Sequence, residues 1–275
     1  MSSSVESELS SLIKSTFAVV LNYNNFEETS DCINSLLDQK PECPNIIIVD
    51  NCSTDGSLEK LEEKYPSLLI SKTGFNSGYA GGMNKGIEIA RENEAKYVLI
   101  SNNDLVYEQN ALAQMLKCSL TEFAGETPGI ISPLVLYKDL KDTIYCAGAE
   151  FSKSKCGTIS LFRTEKINGV NLVSGIRSSA EGACILIKSE VFEKCGVFSE
   201  IFFMYFEDLE FSLRASKLYR IIFCKDAVVY HASGAGKSAA EYSPLYNFYY
   251  TRNRFILFRD FPFFYKIYVF FFNTC

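Results

Sequence analysis

The stretch TFAVVLNYNNFEETSDCINSLLDQKPECPNIIIVDNCSTDGS, Thr16 to Ser57, decides the fold. Thr16 to Tyr23 is a short apolar, β-branched run, the pattern of a buried strand. In the segment after it, Phe26, Cys32, Ile33, Leu36 and Leu37 fall on roughly one helical face, and Pro41 stops the helix. NIIIVD, Asn45 to Asp50, is a second buried strand that ends in the polar turn NCSTDGS. Outward from here the alternation continues: a charged helix near Leu58 to Lys64, a third strand in SLLIS, a helix with a glycine-rich entrance in AGGMNKGIEIARE, and a fourth strand from Lys96 to Ser101. Strands alternating with helices predict an α/β chain with a mostly parallel sheet covered on both faces. Ligands gather at the carboxyl ends of such strands, where Asp50 and Asp104 both lie.

After residue 125 the pattern loosens. PGIISPLVLY, TIYCAGAEF and SSAEGACILIK are strand-like and are separated by a polar, glycine-containing stretch from Ser152 to Arg177, so this half reads as α+β. No low-complexity linker divides the chain, which predicts one domain over 16–258 with halves 16–125 and 126–258. Residues 1–15 are polar and expected to be disordered, and they lack the basic-then-apolar pattern of a secretory signal. A hydrophobic content of 47% in 275 residues is ample for a core, and a net charge of −6 argues against nucleic-acid binding. Ten cysteines with no C-x-x-C pair and a single histidine exclude the common zinc patterns. They read as reduced, core-filling thiols, with the cytoplasm as the default location. The tail, 259–275, is dense in aromatic residues, and its apolar part after Pro262 is thirteen residues long. A spanning helix needs about 20. The tail is therefore expected to lie at a membrane surface, in the core, or in a homodimer interface.

Several motifs carry chemistry. FFMYFEDLEFSLR, Phe202 to Arg214, places Glu207 and Asp208 side by side where an aromatic run gives way to a helix. Helix-end stabilisation accounts for one acid in a first turn. Two adjacent acids behind apolar residues are costly unless needed, and Arg214 is placed to balance them. SNND, Ser101 to Asp104, ends a strand with one full carboxylate, suited to a hard cation only if another ligand helps. His231, after the strand DAVVY, is the available partner. In VDNCSTDGS, Asp50 can accept from a nucleobase, while Asp55 reads as a helix cap. NSGYAGGMNKG offers Gly78, Gly81, Gly82 and Gly86 with Asn76 and Asn84; close approach to a ligand and close helix–strand packing explain such glycines comparably well.

Taken in order, VDNCSTDGS, NSGYAGGMNKG, SNND, EGACILIKSEVFEKCGVFSEIFFMYFEDLEFSLR, VVYHASGAGKS and YYTRNR resemble the family 2 glycosyltransferases, most closely the rhamnosyltransferase-like branch, over about residues 16–258. The resemblance implies a GT-A fold, with a Rossmann-like nucleotide-binding half continuous with a smaller acceptor half. It implies inverting transfer of a sugar from a nucleoside-diphosphate donor to a saccharide or lipid-linked saccharide, with Mg2+ or Mn2+. By matching position, Asp208 would be the base with Glu207 beside it, and Asp104 and His231 would hold the metal. Asp50, Asn76, Gly78, Gly81, Asn84, Asn103 and Arg252 would serve the donor. The family's acid-x-acid signature is reduced here to Asn102-Asn103-Asp104, which weakens the expected metal site. A sugar nucleotidyltransferase would carry a basic glycine-rich loop near the N-terminus, absent from TFAVVLNYNNFEE. A non-catalytic interaction protein on the same fold is the other alternative.

Overall fold

The computed structural model describes residues 3–232, 243–259, 261–263 and 265 of the chain. Helix α1 (Ser3–Lys14) leads into β1 (Thr16–Asn22), α2 (Phe26–Leu37), β2 (Asn45–Asp50), α3 (Ser57–Lys64), β3 (Leu69–Lys72), α4 (Gly78–Glu92) and β4 (Tyr97–Asn102). A short β5 (Leu105–Tyr107), α5 (Ala111–Leu120) and β6 (Pro128–Tyr137) follow. The second half adds β7 (Ile144–Cys146), the hairpin β8 (Ala149–Ser152) and β9 (Gly157–Ser160), β10 (Gly175–Arg177) and β11 (Cys184–Lys188). It closes with α6 (Ser189–Cys195), α7 (Glu207–Ala215), β12 (Arg220–His231) and α8 (Pro244–Phe258).

Strands β1, β2 and β4 are largely apolar because the sheet is covered there on both sides, and alternate side chains serve two cores, while the edge strand β3 is partly exposed. Ala18, Val20, Ile46, Ile48, Tyr97 and Leu99 pack with α2 and α5 on one face. Phe17, Val19, Leu21, Ile47, Val49, Val98 and Ile100 pack with α4 on the other. The sheet order is β10-β12-β6-β11-β4-β1-β2-β3, with β5 on β12 and β7 on β6. One sheet thus runs through both halves.

The structure refines one expectation and corrects another. The strands of the first half, β3, β2, β1 and β4, are parallel as expected, but the sheet turns mixed in the second half, where β11 runs against both β4 and β6 while β12 runs with β6. Parallel neighbours need a crossover connection, and from β6 to β11 the strands follow one another with no α-helix between them, which frees β7 and β11 to pair antiparallel, whereas β12, reached through α6 and α7, pairs parallel with β6. Of the N-terminal residues expected to be disordered, Ser3–Lys14 form α1. Leu9 and Ile13, four apart on one helical face, are buried in the core shared with α5.

The aromatic tail expected over 259–275 lies almost wholly outside the described residues. Among the described residues, Phe258 is buried beside Phe151, Phe261 and Tyr265, and no helix is long and apolar enough to cross a membrane. The nine described cysteines are free thiols; six are buried as expected, while Cys43 and Cys52 are exposed and Cys195 is half-buried.

Candidate active site

Asp104 and His231, far apart in sequence, meet because β12 pairs with β5 in the register His231 to Leu105, and the Ala232 amide donates to the Asp104 carbonyl at 2.9 Å. His231 Nε2 lies 3.6 Å from Asp104 Oδ1. The imidazole is 4% exposed and stacks on Tyr145, with ring centroids 4.5 Å apart and planes within 11°. The Arg163 guanidinium lies over the Tyr145 ring at 4.4 Å. Burial lowers the pKa of His231 and the charge of Asp104 opposes that shift, which leaves a neutral ring able to offer a lone pair. Asp104 Oδ1 and Asn102 Oδ1 are buried without a hydrogen-bond partner. An orphaned carboxylate oxygen beside an imidazole nitrogen, at the end of a strand whose Asn102 oxygen is also unpartnered, is chemically suited to a divalent cation. Among the described residues no group of three acids, histidines or cysteines converges, so a cation there would draw further ligands from substrate or water.

Asp208 sits in the first turn of α7, after Tyr205 and Phe206 at φ 66° and 74°. The Gly182 amide donates to its Oδ2 and the Leu209 amide to its Oδ1, each at 2.8 Å. Burial pushes the carboxyl up from its ordinary 3.8 to about 6, against the pull of those two amides. Gly182 must be glycine, since a Cβ there would lie 2.9 Å from Asp208 Cβ. The same segment reaches the cation motif: the Asn102 amide donates to the Ala183 carbonyl at 2.9 Å, continuing the pairing of Cys184 with Ser101. Residues 181–183 therefore bridge Asp208 and the SNND end of β4. Glu207 turns inward, 5% exposed, with Oε2 unpartnered, and burial together with the Asp208 charge raises its pKa well above the usual range.

Residues 17–177 match the model of Glycosyl transferase family 2, more than half of the chain. The chain belongs to glycosyl transferase family 2. A low-salt glycan biosynthesis hexosyltransferase of Haloferax volcanii is 26% identical over 206 residues, 72% of this chain and 61% of that protein. An N-acetylglucosaminyl-diphospho-decaprenol L-rhamnosyltransferase of Mycobacterium tuberculosis is 23% identical over 235 residues, 76% of this chain and 73% of that one. A mannosyltransferase of Pyrobaculum calidifontis, solved with GDP-Man and Mn2+, aligns at a TM-score of 0.58 and 17% identity over 89% of this chain and 63% of that structure. The fold is GT-A-like. This family 2 chain spans just under two thirds of the length of the hexosyltransferase and of the mannosyltransferase structure.

The expected donor residues of this family 2 member divide. Asp50 is 1% exposed and accepts from Asn22 Nδ2 at 2.8 Å and the Ser53 amide at 2.9 Å, so its carboxylate organises the turn instead of facing solvent. Asp55 accepts from the Ser57 amide at 3.0 Å in the turn before α3, whose N-cap position is taken by Gly56 and not by Asp55. Asn76 is exposed and accepts from Asn51 Nδ2 and the Gly78 amide. The glycines sit where a side chain would not fit. A Cβ at Gly78 would lie 2.2 Å from the Phe203 carbonyl and one at Gly81 2.7 Å from Ser77 Cβ. At Gly82 and Gly86 a Cβ would meet Leu21 and Val19 of β1 at 2.3 and 2.1 Å. Asn84 ties α4 to the Phe198 backbone and the Glu200 carboxylate, and Asn103 donates to Thr29 Oγ1 at 2.9 Å. Arg252 donates to Asn253 Oδ1 at 3.0 Å. Arg214 balances Glu210, 2.8 Å away, and not the Glu207–Asp208 pair.

Sequence reasoning missed two residues around Asp208, Glu181 and Tyr79, and left the role of a third, Asn253 in YYTRNR, open. Glu181 adjoins Gly182 and accepts from Ser160, and its Oε2 is buried without a partner. Tyr79 of α4 donates its hydroxyl to the Gly182 carbonyl at 2.7 Å and its amide to the Phe203 carbonyl at 2.7 Å. Asn253 of α8 holds the turn before α7. The one sequence signal for Glu181 was an acid directly before a glycine at a strand entrance.

Proposed function

We propose that this protein transfers a sugar from a nucleoside-diphosphate donor to a hydroxyl of a saccharide or lipid-linked saccharide, with inversion and with Asp208 as general base. The observation that carries this reading is the 181–183 segment, which holds Asp208 through the Gly182 amide and the Asn102–Asp104 motif through the Ala183 carbonyl. A base and an anion-stabilising centre tied to adjacent residues at the entrance of one strand suit an in-line displacement.

In that displacement the acceptor oxygen forms a bond to the anomeric carbon as the bond from that carbon to the diphosphate oxygen breaks. The acceptor proton passes to Asp208 and the electron pair leaves with the diphosphate. Each Asp208 oxygen accepts one backbone N–H and keeps a lone pair free, so the amides fix the carboxylate without blocking it. Its rise to about 6 makes it a stronger base than an ordinary aspartate yet leaves it ionised at neutral pH. Asp104, His231 and the Asn102 amide oxygen would hold Mg2+ or Mn2+, which when bound neutralises negative charge on the departing diphosphate. The neutral His231 ring, clamped under Tyr145, keeps its orientation toward Asp104. Burial and the Asp208 charge raise the pKa of Glu207, which disfavours a second negative charge beside the base.

Peripheral membrane contact belongs to the same reading. Leu245, Phe248, Phe255 and Phe263 stand exposed on and just past α8, as a lipid-linked acceptor would favour. Release of nucleoside diphosphate, screened across a panel of nucleotide sugars with Mn2+, tests the function. No release with any sugar nucleotide, with nucleotide binding also absent, would reject it.

A further inference from the structure

We propose that Asn253 is a positioning residue for the transfer reaction, clamping from α8 the turn that aims Asp208. This rests on the reading of Asp208 as the base. Tyr205 and Phe206 are consecutive side-chain-bearing residues in the left-handed region, which such residues rarely occupy even singly. Phe206, at the N-cap of α7, makes no side-chain capping bond that would hold this shape. The restraint comes from elsewhere. Asn253, 0% exposed, donates both amide hydrogens to the turn, to the Met204 carbonyl at 2.7 Å and the Tyr205 carbonyl at 2.8 Å. Arg252 fixes the amide by donating to its oxygen. On the other side the Tyr79 amide donates to the Phe203 carbonyl. Rings follow the same pattern: Phe203 stacks on Tyr249, and Phe206 meets Tyr250 edge-on, each pair with centroids 4.9 Å apart.

Glu207 and Asp208 follow the turn directly, so relaxing it swings Asp208 away from the Gly182 amide. Displacement of a reacting group by about 1 Å costs about 10²-fold in rate. The titratable groups around Asp208 are Glu207 on its own helix, Glu181 before β11 and Tyr79 on α4.

The test uses the full chain, with Asn253→Ala, the double variant Tyr205→Gly/Phe206→Gly, and all three changes combined. Asn253→Ala is expected to lower kcat about 100-fold, with UDP and GDP binding within about twofold. The acid limb of its kcat–pH profile should move below the wild-type midpoint as Asp208 gains water. Glycine tolerates the left-handed turn. In the glycine background the same Asn253→Ala change should therefore cost about tenfold or less. A loss of kcat that matches the loss of folded protein, with an unmoved pH midpoint and equal cost in both backgrounds, would overturn the clamp. If Asn253→Ala fails to fold, Asn253→Gln keeps the amide displaced by one methylene; normal kcat and midpoint there would also overturn it. Asp208→Asn, run in parallel, separates the two ideas. If it retains turnover, the base assignment fails; if it is inactive while Asn253→Ala is normal, only the clamp fails.

Discussion

Replacing Asp208 by asparagine is expected to abolish turnover and, above pH 6, to stabilise the fold. Burial lifts the carboxyl from 3.8 to about 6, so the folded state binds more protons than the unfolded chain between those values. Stability from this group is fully present below pH 3.8 and is lost as pH rises through about 6. At roughly 1.4 kcal/mol per tenfold in proton affinity, the ionised carboxylate costs about 3 kcal/mol at pH 8. Asp208 is only partly covered, which trims that figure, and asparagine can accept only one of the two backbone amides, a loss of about 1 kcal/mol. The net gain for Asp208→Asn is therefore about 1 kcal/mol at pH 8, falling to zero or below at pH 4. Urea denaturation of both proteins at pH 4.5, 6 and 8, with parallel turnover assays, measures this. A stability gap that is the same at all three pH values would show that the carboxyl ionises normally and refute the argument for a strengthened base. Near-normal turnover would refute the base itself. Loss of activity together with a pH-dependent gain in stability is the signature of a group placed for chemistry at the expense of the fold.

Other expected outcomes follow from the same geometry. Wild-type kcat should rise with pH through a midpoint near 6 as Asp208 ionises, a limb absent from the residual activity of Asp208→Asn. Asp104→Ala should remove the Mn2+-dependent thermal stabilisation given by a nucleoside diphosphate, and His231→Ala should raise the Mn2+ concentration it needs; full activity in excess EDTA would exclude a shared cation. Gly86→Ala places a Cβ 2.1 Å from Val19 Cγ1, and overpacking of this kind costs about 1–3 kcal/mol, seen as a lower urea midpoint with KM unchanged. Removal of residues 261–275 should leave a folded protein with a modestly lower urea midpoint, as Phe258 loses Phe261 and Tyr265, and with weaker sedimentation on anionic liposomes; a folded protein with unchanged liposome binding would place the contact elsewhere.

What could be read ahead of the structure depended on whether a residue's partner was near in sequence. β1, β2 and β4 were legible because a strand buried on both faces is apolar at every position, whatever its neighbours. Strand direction was not: CILIK reads the same running with β4 or against it, and only the loop connection decides. The Asp104–His231 pair was legible because acids and imidazoles at strand ends have few structural uses. Gly82 and Gly86 were not, since their purpose is set by Leu21 and Val19 across the sheet. Arg214 was matched to the wrong acid because six residues along a helix turn about 240° away from Asp208, whereas Glu210, four residues before it, shares its face. The role left open has the same origin. Asn253 acts on a turn 48 and 49 residues earlier in the chain, through two backbone carbonyls that carry no side-chain signature at all. A base can be recognised by its own chemistry, but what aims the base is written in backbone geometry, and there only the folded chain speaks.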